Sequence, residues 1–112
     1  MTDQELLKVV TPMVEQMLQG WDQDNRELFV SSFSEEFLEF MTKEEFDKQR
    51  TKFFPQQGAH TSIKCLLVHR NPDNFVVIWE MTCTGRSMPA LLTCIFSDQK
   101  KTLVISGAYK HW

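Results

Sequence analysis

Phe75–Thr84, FVVIWEMTCT, reads as the central strand of an antiparallel sheet built from the second half of the chain. The flanking turns define it. Before it, Asn71-Pro72-Asp73-Asn74 places proline at the second turn position and aspartate at the third, where a fixed φ and a short acceptor side chain favour a β-turn. After it, Gly85-Arg86 is a Gly-X pair of the kind that suits a two-residue type II′ hairpin. Ser97-Asp98-Gln99-Lys100-Lys101 is a third polar break between apolar runs. Four strands follow, at about 61–70, 75–84, 88–97 and 102–110.

With the turns centred there, Val68 faces Val77, Trp79 faces Leu92 and Cys94 faces Ile105, and each strand sorts into two faces by parity. The first face carries Leu66, Val68, Phe75, Val77, Trp79, Met81, Ala90, Leu92, Cys94, Phe96, Leu103, Ile105 and Tyr109. It is almost wholly apolar and needs a cover. The second carries Ile63, Cys65, Leu67, His69, Val76, Ile78, Glu80, Thr82, Leu91, Thr93, Ile95, Val104, Ser106 and Ala108, a mixture far from polar.

The cover comes from the first half. A capping side chain followed three residues later by glutamate occurs three times, as Thr2 with Glu5, Asp24 with Glu27 and Thr42 with Glu45. Helix 1 is expected to reach about Gln19 and stop at Gly20, burying Leu6, Val9, Val10, Met13, Met17 and Leu18. Pro12 predicts a kink near Lys8–Thr11 or a restart with Thr11 as cap. Helix 2, about 25–33, turns Leu28, Phe29 and Phe33 inward, with 36–41 as an extension. Helix 3, about 43–54, buries Phe46 and Phe53 and ends at Pro55. The layout is α+β: three N-terminal helices on one face of a curved four-stranded antiparallel sheet, in a single domain over 1–112.

Composition excludes several functions. With 12 Lys and Arg against 15 Asp and Glu, the net charge is −3 and the cations are scattered, so no footprint for a nucleic-acid backbone is present. The acidic start and the lack of an apolar run near roughly 20 residues point to a cytoplasmic protein with no membrane partner. Cys65, Cys83 and Cys94 match neither a disulfide framework nor a zinc site and read as free thiols. Cys65 and His69 are separated by about 13 Å along a strand, too far to share an ion. No phosphate loop, G-x-S-x-G or H-E-x-x-H occurs, and neither metal nor cofactor is expected.

The order of a kinked helix, then Trp21-Asp22-x-x-Asn25-x-x-x-Phe29-x-x-x-Phe33-Ser34, then a helix after Met41-Thr42 and the strands resembles the nuclear transport factor 2-like superfamily, whose curved sheet wraps a long helix. The stretch 29–45, FVSSFSEEFLEFMTKEE, is similar to small bacterial domains of unassigned function. Enzymes of that superfamily, such as polyketide cyclases, place Asp, His or Tyr inside the cone. The resemblance therefore directs attention to Tyr109 and His111, with Arg70 and Lys64 toward strand ends. Glu80, the carboxylate inside the central strand, falls on the second face.

The aromatic set Trp21, Phe29, Phe33, Phe46, Phe53, Trp79 and Tyr109, with His111, either lines an apolar pocket with Tyr109 and His111 as polar handles or closes into a core. The expected function is a non-catalytic domain binding a small apolar ligand or a protein. The alternative is a small cyclase, isomerase or hydrolase using Tyr109 and His111. Because three helices cannot also reach the second face, Ile63, Leu67, Val76, Ile78, Glu80, Leu91, Ile95 and Val104 are the expected interface of a homodimer. The competing cover for that face is the terminal Lys110-His111-Trp112 or the 56–60 loop.

Overall fold

In the computed structural model, which describes residues 1–112, the first helix, α1 (Asp3–Asp22), is set by its cap. The Thr2 hydroxyl accepts from the Glu5 N–H, and the Glu5 carboxylate accepts from the Thr2 N–H. Helix α1 buries Leu6, Val10, Val14, Met17, Leu18 and Trp21 and runs unbroken through Pro12. Pro12 lies on the exposed side, and so does Lys8, whose carbonyl loses its intrahelical donor there and can turn to water instead. The helix also continues past Gly20. That glycine is a place of close approach rather than a stop: a Cβ there would meet the Phe29 backbone nitrogen, and the Gly20 carbonyl accepts from the Asn25 N–H at 2.8 Å.

The next three helices are short, short and long. Helix α2 (Arg26–Phe29) is a single turn capped by Asn25, one residue after the expected Asp24, which takes φ +56°. Residues 35–40 form a helix of their own, α3 (Glu35–Phe40), capped by Ser34. Helix α4 (Lys43–Gln57) starts at the Thr42 cap and passes through Pro55, again on the exposed side, to end at Gly58 with φ +71°.

The strands β1 (His60–Arg70), β2 (Asn74–Cys83), β3 (Ala90–Gln99) and β4 (Thr102–His111) pair antiparallel in the order β1-β2-β3-β4. Val68 pairs with Val77 and Trp79 with Leu92, as expected. Gly85-Arg86 does not make a two-residue hairpin, and the connection occupies 84–89. There the Gly85 N–H donates to the Gln57 carbonyl and the Thr84 N–H to that of Ala59, both at 2.9 Å, tying the β2 end to the end of α4. A Cβ on Gly85 would lie 2.6 Å from the Gln56 carbonyl oxygen, so this glycine also serves close approach.

Two bulges revise the expected faces. In β1 the register shifts between Cys65 and Leu67, leaving Leu66 as the extra residue. Cys65 therefore pairs with Trp79 and Ile63 with Met81, so both turn toward the helices rather than toward the back. In β4 the shift lies at Ser106. Phe96 pairs with Ile105, but Ile95 pairs with Gly107 and Cys94 with Ala108 instead of Ile105. Beyond Ser106, Ala108 and Lys110 thus join the helix-facing side, whereas Tyr109, opposite Thr93, joins the back. The bulge coincides with a point where segment 32–34 docks on the sheet edge: the Ser34 N–H donates to the Ile105 carbonyl at 2.9 Å, and the Ile105 N–H to that of Ser32 at 2.7 Å.

One continuous core joins the helix stripe to Val77, Trp79, Met81, Leu92, Cys94, Phe96 and Ile105. The opposite face of the sheet has no layer over it. Leu67 and Leu91 are 52% and 42% exposed, and Val76, Ile78, Ile95 and Val104 are partly so.

Candidate functional site

The end of α1, helices α3 and α4, and the last residues of β4 enclose a cleft of about 730 Å³. Its walls are apolar in the main: Met17, Trp21 and Phe29 from the first helices, Phe37, Phe40 and Met41 from α3 and its cap, Phe53 from α4, and Leu92 and Ala108 from the sheet. The aromatic candidates divide between this cleft and the core. Trp21, Phe29, Phe53, Tyr109 and His111 contribute to the cleft. Phe33, Phe46 and Trp79 do not, because close ring contacts bury them. Phe46 meets Trp21 edge-on at 5.8 Å, Phe33 stacks on Phe37 at 4.2 Å, and Trp79 meets Phe96 edge-on at 6.2 Å.

The two expected polar handles lie at the rim. Tyr109 is 56% exposed, and its ring is turned to the back of the sheet, where a Cβ on Gly107 would sit 3.3 Å from its Cε2. His111, opposite Leu91, shares that parity and is exposed. Neither side chain has a hydrogen-bond partner of the kind that fixes a general base. Glu80 stays on the back, opposite Leu91, and Arg70 is engaged with Asp3 and the Met1 carbonyl.

The residue that enters the cleft in place of Tyr109 is Lys110. Its Nζ sits 4.1 Å from the centre of the Trp21 ring and 5.8 Å from that of Trp112. No carboxylate forms an ion pair with it. Asp22, the carboxylate whose charge is felt at Lys110, is held by His60, whose Nδ1 and backbone N–H both meet its carboxylate. Burial therefore brings the Lys110 ammonium down to about 8, against weaker pulls upward from Cys83, Asp22 and Cys94. The same burial raises the thiol of Cys94 to about 12 and that of Cys83 above its usual range, which leaves both unreactive.

Further polar groups surround the apolar walls. Lys48 and Lys52 line the cleft from α4, along with Glu45, whose carboxylate accepts from the Gln49 amide at 3.0 Å. Counting Lys48, Lys52 and Lys110 against Glu45, the lining carries a charge of +2 on a chain of net −3. Gln57 closes the inner end, with its Oε1 buried and without a partner. Lys110, Lys48, Lys52 and Gln57 escape sequence reasoning. The one legible clue to Lys110 is Gly107, since a glycine inside a strand marks a bulge or a close approach.

No His, Cys, Asp and Glu cluster is arranged to hold a metal ion, and no helix is long and apolar enough to cross a membrane. No protein-family model and no curated protein matches the sequence. Among solved structures, the Bdellovibrio bacteriovorus protein Bd1075 is similar, with a TM-score of 0.54 at 11% identity over 91% of this chain. The chain spans 38% of the length of that protein. At such identity the likeness is one of fold.

Proposed function

We propose that the chain is a small-molecule-binding domain of the nuclear transport factor 2-like type, acting in the cytoplasm as a homodimer through the back of its sheet. The observation that carries the binding role is the cleft. Its volume of about 730 Å³ lies within the roughly 300–1,000 Å³ of small-ligand sites, and apolar walls with a few convergent polar groups are the usual construction of such sites. Catalysis draws less support, because Tyr109 and His111 stand at the rim with their side chains unpaired.

The second copy follows from the uncovered face. Leu67, Val76, Ile78, Leu91, Ile95 and Val104 form an apolar surface, with Glu80, Thr82 and Thr93 supplying polar partners. Ile63 has left this group and Tyr109 has joined it. Neither the 56–60 loop nor the terminal residues cover it, since α4 and the Gly85 contact hold the loop and Lys110 turns to the cleft. Sequestering large side chains at roughly 1.5–3 kcal/mol each offsets the cost of association.

Native mass spectrometry of the purified chain tests both halves. A dimer carrying a small molecule is expected. If no copurified compound is found and neither a fatty alcohol nor an aromatic probe binds, the ligand role is wrong. A monomer by light scattering at tens of micromolar refutes the dimer, and Ile78→Asp is expected to produce that monomer.

A further inference from the structure

The cleft holds a cation that the folded chain leaves unmatched. Each salt bridge of the protein excludes Lys110, and the arginines of α2 and α4, neither of which lines the cleft, are committed to backbone: Arg26 donates twice to the Met41 carbonyl, and Arg50 to those of Trp21 and Asp22. The ammonium rests instead on the face of Trp21. Lys110 is partly buried, and a cation–π contact offsets only part of the cost of partly desolvating an ammonium; an anion at the same point would offset more. The groups facing it do not supply that anion. Asp22 from α1 is bound by His60, Glu45 from α4 accepts from the Gln49 amide and makes no ion pair with Lys110, Cys83 and Cys94 from the sheet are neutral thiols, and Lys48 and Lys52 across the cleft add positive charge.

We infer that the ligand is an amphipathic carboxylate: an apolar chain or ring system lying against Phe37, Phe40 and Phe53, with one carboxylate directed at Lys110. The inference rests on the reading of the cleft as a ligand site and narrows it to a chemical class. Three features favour a carboxylate over a phosphate ester. The cation meeting the head group is a single point charge rather than a guanidinium fork. No glycine-rich loop lies among the lining residues, and the first turn of α4, which reaches the lining at Glu45, has the Glu45 N–H already taken by the Thr42 hydroxyl. Apolar side chains occupy most of the remaining wall. Lys48 and Lys52, both exposed, raise the local concentration of anions at the mouth without fixing their position.

The test measures binding to the full-length chain by calorimetry at pH 7, using decanoate, 1-decanol and decylamine below their aggregation limits. Decanoate is expected to bind at least about tenfold more tightly than decanol, the difference one charge-assisted hydrogen bond makes. Lys110→Met is expected to reduce that ratio to near one, and Lys110→Arg to retain a preference for decanoate. Replacing both Lys48 and Lys52 by Gln is expected to change the ratio by less than about threefold, as befits exposed charges. Equal affinities for decanoate and decanol, or tighter binding of decylamine, overturn the carboxylate assignment while leaving the cleft a ligand site. If none of the three binds, the ligand reading itself is wrong. A decanoate preference that survives in Lys110→Met overturns the role given to Lys110.

Discussion

The inner strands β2 and β3 and the outer strands β1 and β4 obey the same alternation rule with different results. From Asn74↔Ser97 to Met81↔Ala90 the inner pair keeps one register, and each residue of Phe75–Met81 faces as simple parity dictates. Each outer strand instead contains a bulge that reverses the facing of the residues next beyond it, and β1 has a second register shift between His60 and Ser62. An inner strand is hydrogen-bonded along both edges and cannot absorb an extra residue without disturbing two neighbours. An outer strand disturbs one. The core accordingly resides in the regular pair, and the placement of Lys110, the most unusual side chain in the cleft, depends on the irregular strand.

The comparison predicts a wide spread of mutational cost. Trp79→Ala, in the middle of β2 and fully buried, should lose about 3–5 kcal/mol in urea unfolding, as large core truncations do. Leu66→Ala, at the β1 bulge and half exposed, should change stability by no more than about 0.5 kcal/mol. Similar losses at both positions would show that Leu66 is buried and that the β1 bulge is misplaced.

Lys110 supplies the next largest effect, and its sign differs. Its folded-state value, about 8, lies below the ordinary 10.5, so between those values the unfolded chain binds more protons and stability rises with pH. Below pH 8 the penalty for the buried charge is fully present. Lys110→Met should therefore stabilise the protein at pH 7 by up to ~3 kcal/mol, an advantage that shrinks between pH 8 and 10.5. Taking the difference between variant and wild type removes the opposing contribution of the buried thiols. An unchanged or lowered stability at pH 7 would place the ammonium in water.

A smaller gain is expected at the β3–β4 turn. Lys100 and Lys101 adopt φ +52° and +67°, a two-residue hairpin conformation that favours Asn-Gly and costs an ordinary side chain. Lys101→Gly should stabilise the chain by about 1 kcal/mol in the same assay.

These contrasts also explain what was legible in the sequence. Thr2 and Thr42 were readable because a cap with glutamate three residues on is a local signal, and the structure uses both. Asp24 stands in for Asn25 in the sequence pattern because two good caps lie side by side, and only the φ of +56° at Asp24 separates them. Pro12 predicts a kink or restart and Pro55 a helix end, yet both lie on exposed sides where the freed carbonyls can turn to water. The antiparallel order was readable from turn chemistry. The faces of Ile63, Cys65, Ala108, Tyr109 and Lys110 were not, since one inserted residue reverses them and its position depends on contacts such as Ile105 with Ser32 and Ser34. Half of the site was therefore visible as aromatic residues, while its cation was concealed by parity.

The most direct test of the claim that the Ser106 bulge turns Lys110 into the cleft is an NMR titration of the lysine side-chain signals, with Lys110 assigned by its loss in Lys110→Met. One lysine is predicted to titrate near 8 and to be the signal that disappears in the variant. If Lys110 instead titrates at the ordinary lysine value of 10.5, its ammonium is in water and the account of the cleft is wrong.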